Sequence, residues 1–197
     1  MTRAIALTVL AAAASAPAQT TRINIDIDAA GAVFPGDSVT VILSAAFDPG
    51  DYAVAGVQTD LLASAPVDLG DAWSDLQLIA PMDGPGTTAG VGSGASVTGV
   101  IAGQLNFPIA GIYADSTNPI AFWQATFTAP ASVPGPYFVD LSTSTSRFDV
   151  YPERGAARSE SRLDVLAEGV GGFPVIPAPG SMAVLGLGLV AAARRRR

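Results

Sequence analysis

Short runs of alternating apolar and polar residues, the first two closed by proline–glycine turns, set the character of the chain from Thr21 onward. Ile23, Ile25 and Ile27 alternate with Asn24, Asp26 and Asp28, the two-residue period of a half-buried strand. Phe34-Pro35-Gly36-Asp37 then supplies a turn, and Val39, Val41 and Leu43 resume the alternation up to a second turn at Asp48-Pro49-Gly50-Asp51. The same reading gives strands over Val54 to Ala63, Leu76 to Ile79, Val97 to Phe107, Ile120 to Thr128, Tyr137 to Leu141, Phe148 to Tyr151 and Leu163 to Leu166. Ile120 to Thr128 is apolar on both faces and reads as a central strand. Met82 to Gly94 reads as a glycine-rich loop, and there is no internal repeat. Helix is disfavoured throughout this stretch. The chain has 21 glycines, 15 prolines and no lysine, so the usual helix-surface residues are scarce. The pattern predicts an all-β fold, an antiparallel β-sandwich.

The two ends differ from the body. Met1 to Ala18 has the layout of a cleavable signal peptide, with Arg3 as the charged region, Ala4 to Ala14 as the apolar stretch and Ala16-Pro17-Ala18 as the small-x-small site. Cleavage there by signal peptidase leaves Gln19 at the mature N-terminus. At the other end, Glu168 to Gly180 is rich in glycine and proline and reads as a linker, residues 168–180, following a sandwich domain at 19–167. An apolar segment then begins at Ser181, an N-cap residue placed after helix-breaking prolines. Ser181 to Ala193 as a helix spans roughly 20 Å, against a hydrocarbon core of about 30 Å. Arg194, Arg195, Arg196 and Arg197 close the chain and belong on the cytoplasmic side, which leaves the body outside.

This tail, Val175 to Arg197, resembles the PEP-CTERM sorting signals of Gram-negative-type bacteria. The residues that carry the likeness are Pro177-Ala178-Pro179-Gly180, the short glycine-containing apolar helix and the arginine cluster. Ala178 stands where that family has a glutamate. The resemblance implies recognition by an exosortase-type processing enzyme and delivery to the cell surface or an exopolysaccharide matrix. A second likeness concerns the body. Val33 to Val41, Val54 to Leu61, Ala125 to Ala129 and Gly135 to Val139 are similar to strands of cohesin-type domains. It implies a jelly-roll sandwich of the sort shared with carbohydrate-binding modules.

Composition excludes several chemistries. No cysteine or histidine is present, and all ten basic residues are arginines. A thiolate site, a Ser-His-Asp triad and a Ser–Lys dyad are therefore ruled out. With Arg3 and Arg194 to Arg197 set aside, five arginines face 17 acidic residues, so the segment between the two ends carries −12. Nucleic acid is an unsuitable partner for such a surface. The remaining chemical groups are carboxylates. Asp48 and Asp51 flank a Pro-Gly turn and, like Asp26 and Asp28, offer oxygen ligands to calcium; turn-capping and plain solvation are the competing roles. Gly90 to Gly94 lacks the lysine and the βαβ context of a phosphate loop. Tyr52, Trp73, Trp123 and Tyr137 would serve sugar stacking if they shared an exposed face, Trp73 being the better surface candidate and Trp123 a core residue. The leading expectation is an exported, non-enzymatic surface protein. A carbohydrate-binding or cohesin-like recognition module is the alternative, and a secreted hydrolase with two facing carboxylates is the third reading.

Overall fold

In a computed structural model, which describes residues 21–29, 33–131 and 135–177, the period-two segments pair into two antiparallel sheets. Among the described residues the strands are β1 (Arg22–Asp28), β2 (Ser38–Ala46), β3 (Ala53–Ser64), β4 (Trp73–Leu78), β5 (Val91–Ser93), β6 (Ser96–Gly103), β7 (Ile120–Thr128), β8 (Tyr137–Tyr151), β9 (Glu160–Ser161) and β10 (Val170–Val175). One sheet runs β1-β2-β7-β4; the other runs β10-β8-β3-β6-β5, with β9 added to β8. The expected sandwich is present, and β7 is a central strand of its sheet.

The core follows from the alternation. Val39, Val41 and Leu43 of β2, Phe122, Trp123 and Phe127 of β7, and Val57 and Leu61 of β3 are buried between the sheets. Each indole N–H finds a carbonyl: Trp73 donates to Ala95 O at 2.8 Å and Trp123 to Ala89 O at 2.9 Å. The residues flanking β5 are thereby tied to the opposite sheet. Buried tryptophan is stable only when that N–H is met, so these bonds let two large rings occupy the interior. The rings of Trp73 and Phe127 meet edge-on at 5.0 Å.

Four sequence expectations change. Val170–Val175, read as linker, is a core strand: β10 pairs with β8, and its Phe173 packs edge-on at 5.4 Å against Phe127 of the other sheet. The glycines that suggest a linker are there for close approach, since any side chain at Gly172 would collide with Phe138 and the Val139 carbonyl. Pro174 is tolerated because β10 is a sheet-edge strand. Tyr137 to Leu141 and Phe148 to Tyr151 are not separate strands but the two ends of β8, continuous across the Ser/Thr run. Glu168 makes this possible. Its carboxylate accepts from Thr145 N at 2.7 Å and from the hydroxyls of Thr143 (2.6 Å) and Thr145 (2.8 Å), standing in for a neighbouring strand. Leu163–Val165 is a 3-10 turn rather than a strand, because that stretch bridges β9 to β10 over the edge that Glu168 already satisfies. Lastly, the Met82 to Gly94 loop ends in the short strand β5, and the Val97 to Phe107 strand stops at Gly103.

β10 also joins the sheets at the chain ends. Ile23 N donates to Ala167 O, Ala167 N to Thr21 O, and Ile176 N to Val33 O, at 3.1, 3.0 and 2.9 Å. The segment read as a linker is therefore fastened as far as residue 176. Phe173→Ala, which empties a buried ring site at this seam, is expected to destabilise the protein by about 3–5 kcal/mol. Val170→Ser, on the exposed side of the same strand, is expected to stay within about 0.5 kcal/mol. Chemical denaturation followed by tryptophan fluorescence compares the two, and equal, small effects would show that β10 is not part of the core.

Candidate functional site

The β6–β7 connection, residues 104–119, builds the most distinctive surface of the molecule. Phe107 and Ile112 pair through their backbones (N to O at 2.8 and 3.2 Å), closing a small loop over the 3-10 turn Pro108–Ala110. Pro108 suits the first position of that turn, and Gly111, at φ 73°, reverses the chain where a side chain would be strained. The result is an apolar finger with Ile109 at its tip, 94% exposed, and Phe107 53% exposed beside it.

The finger is braced from below. Gln104 is buried, and its side-chain amide donates to Val54 O (2.6 Å) and Asp115 O (3.0 Å) while its carbonyl accepts from Asp115 N (2.6 Å). Tyr52 donates its hydroxyl to Ala114 O, Asn106 donates to Ala156 O, and Asn118 exchanges bonds with both backbone groups of Phe47. The Arg154 guanidinium lies 4.3 Å from the centre of the Tyr113 ring. A loop tied down at this many points along its base is preorganised rather than slack.

Beside the finger opens a cleft of about 620 Å3 whose walls include Pro81, Asp83, Leu105, Ile112, Tyr113 and Asp115. Asp115 accepts from the hydroxyl and backbone N–H of Thr117 at 2.7 and 2.8 Å, which holds its carboxyl below the ordinary range and keeps it ionised. Asp83 is exposed. The cleft is thus an apolar recess with anionic groups in its wall.

The residues singled out by sequence are scattered. Asp48 caps its own turn, its Oδ1 accepting from Gly50 N at 2.8 Å. The Asp51 side chain, only 6% exposed, forms a two-point pair with Arg162 at 2.8 and 3.1 Å. Arg162 in turn reaches Glu160 at 2.9 Å. Asp26 and Asp28 face solvent on β1. Among the described residues no three acidic side chains gather as a metal site. The aromatic residues do not share an exposed face. Trp73 is 8% exposed and in the core, which corrects its reading as a surface ring. The register of β4 shifts between Ser74 and Gln77, where Asp75 has φ 53°, so Trp73 faces inward although it is out of phase with Leu76 and Leu78. Trp123 and Tyr137 are also buried, and Tyr52 serves as a brace. Ala16, Ala18 and Gln19, and Ala178, Pro179, Gly180 and Arg194 to Arg197, lie outside the described residues; Pro177 is the last residue within them.

Sequence reading missed Gln104, Asp83, Asp115 and the finger. A run Phe107-Pro108-Ile109-Ala110-Gly111-Ile112 is the available signal, since proline and glycine inside an apolar stretch mark a turn that must expose part of it.

Residues 175–197 match the PEP-CTERM protein-sorting motif. Sorting motifs of this kind imply export to the cell envelope or surface. The match starts at Val175, the last residue of β10, which is completely buried. No curated protein sequence matches the chain. Among solved structures the chain is similar to a cohesin module from a family 33 glycoside hydrolase of Clostridium perfringens, at 10% identity and TM-score 0.43 over 81% of this chain and 98% of that one. It is also similar to a chain of a CaDoc0917–CaCohA2 complex, at 13% identity and TM-score 0.37 over 81% and 100%.

Removing the Gln104 brace strands the Val54 and Asp115 backbone groups. Gln104→Ala is expected to cost about 2–3 kcal/mol and to speed hydrogen exchange at the Asp115 amide. Ile109→Ser is expected to leave both unchanged, and unaltered exchange in Gln104→Ala would refute the bracing role.

Proposed function

We propose that this protein is an exported, non-catalytic β-sandwich that its sorting segment delivers to the cell envelope, where an exosortase-type enzyme processes the tail and the body acts as a recognition module. The observation that carries this reading is the junction at Val175. Only Ile176 separates the last buried strand residue from Pro177, where the proline motif begins. A body fastened that close to an apolar, arginine-capped tail is held against the membrane while the tail is inserted.

The same geometry gives the body a direction. β8 runs from Tyr137, paired with Val175, to Tyr151, paired with Ala53 at the end where Gln104 grips β3. Its 15 residues separate the two ends by roughly 45 Å at about 3.3 Å per residue. The finger lies at the end of β8 opposite Val175, which supports an outward-facing finger in a body whose tail is held at the envelope. Four carboxylates are committed to structure: Glu160 and Asp51 are engaged by Arg162, Asp149 by Arg147, and Glu168 by two threonines. The non-catalytic reading is supported by composition: without histidine, lysine or cysteine, only carboxylates and tyrosines are left to act as a general base.

Replacing Arg194 to Arg197 with serines tests the delivery step in the native host. The protein is expected to leave the envelope and surface fractions while its body stays folded by near-ultraviolet circular dichroism. An unchanged distribution would remove the tail from the account.

A further inference from the structure

The finger and cleft remain without a role in sorting. Leu105, Phe107, Ile109, Ile112 and Tyr113 are all at least 42% exposed, and they belong to one short loop between Gln104 and Asp115. A rigid apolar surface of this kind, held out into water by a dedicated set of hydrogen bonds, is a mark of an interaction site. The cleft volume of about 620 Å3 lies within the range of recognition pockets, ~300–1,000 Å3.

Charge identifies the occupant. The segment between the chain ends carries −12, and the carboxylates of Asp83 and Asp115 stand in the cleft wall. No residue in that wall is basic. Among the described residues Asp83 has no ion pair, and the hydrogen bonds of Asp115 come from Thr117, so neither negative charge is neutralised. The Tyr113 ring already accepts one guanidinium, that of Arg154, which lies outside the cleft wall. Anionic lipid and a second copy of this acidic body are both repelled by such a surface, whereas a basic chain is attracted to it. Neutral sugars find Tyr113 in the cleft wall and Phe107 on the finger, and among the described residues no row of aromatic platforms.

We propose that this end of the sandwich docks a basic, apolar segment of a partner protein, an Arg or Lys side chain lying against Asp83 and Asp115 while neighbouring apolar side chains cover Leu105, Ile112 and the finger. The inference rests on reading the body as a recognition module and goes further in naming the class of partner.

The test uses the full chain in detergent and three probes: a fluorescent decapeptide of alternating Arg and Leu, its Glu–Leu counterpart, and oligosaccharides from the host matrix. Fluorescence anisotropy is expected to detect the Arg–Leu peptide alone. Asp83→Asn with Asp115→Asn is expected to weaken binding at least tenfold, and Ile109→Ser severalfold. Neither change removes a folding contact, because an asparagine amide at position 115 keeps an oxygen for Thr117 and Ile109 is almost fully solvated. Asp140→Asn, an exposed carboxylate near the opposite end of β8, is the control and is expected to bind normally. Equal binding by the double variant, or equal loss in the control, would reduce the effect to unspecific attraction by an acidic body and overturn the proposal. No peptide binding also overturns it. Oligosaccharide binding without peptide binding would sink the proposed partner class while leaving the recognition reading standing.

Discussion

Phe173 set edge-on against Phe127 is the contact on which the rest of the architecture depends. A two-sheet sandwich must bury both inner faces, and β10 supplies the last part of one of them. It does so with few residues, because Gly171 and Gly172 let it lie flat against Ile25 and Phe138 while Phe173 and Val175 turn inward. The backbone bonds to Thr21, Ile23 and Val33 then close the gap between the first and last strands. The body is complete only when the chain has been made as far as Ile176, the residue before the proline motif.

That coincidence links folding to sorting. Were residues 168–180 a free tether, the body could swing and the processing enzyme could reach any bond in it. With the strand running to Val175, the bonds up to Ile176 are held in the body, and a cut beyond Pro177 leaves the core contacts of the described residues intact. The arrangement also separates the two working regions of the molecule. Val175, where the sorting motif begins, lies at one end of β8, and the apolar finger stands at the other, braced by Gln104, Tyr52, Asn106 and Asn118.

How far the sequence carries this account differs by element. β1, β2, β3 and β7 are legible because their alternation reports one buried face and the turns between them carry Pro-Gly-Asp. The continuity of β8 is not, since Ser142 to Ser146 has no apolar period and is held by the side chain of Glu168 from far along the chain. β10 is hidden for the opposite reason. Glycine and proline usually report freedom, and here they report close packing at a sheet edge. Trp73 misleads because Asp71 and Asp75 flank it, whereas its own position is inward. The finger escapes notice because it exposes apolar residues, against the usual rule, and its braces join it to distant parts of the chain, as Gln104 does to Val54 O across 50 residues.

The central claim is that the body is fastened as far as Ile176, already inside the stretch that matches the sorting motif. Intact mass of the protein purified from envelope and medium of its native host tests it most directly. The account expects a species beginning at Gln19 and ending between Ile176 and Ser181, with Arg194 to Arg197 gone. A C-terminus inside β10, or a mature protein that keeps its four terminal arginines, would contradict it.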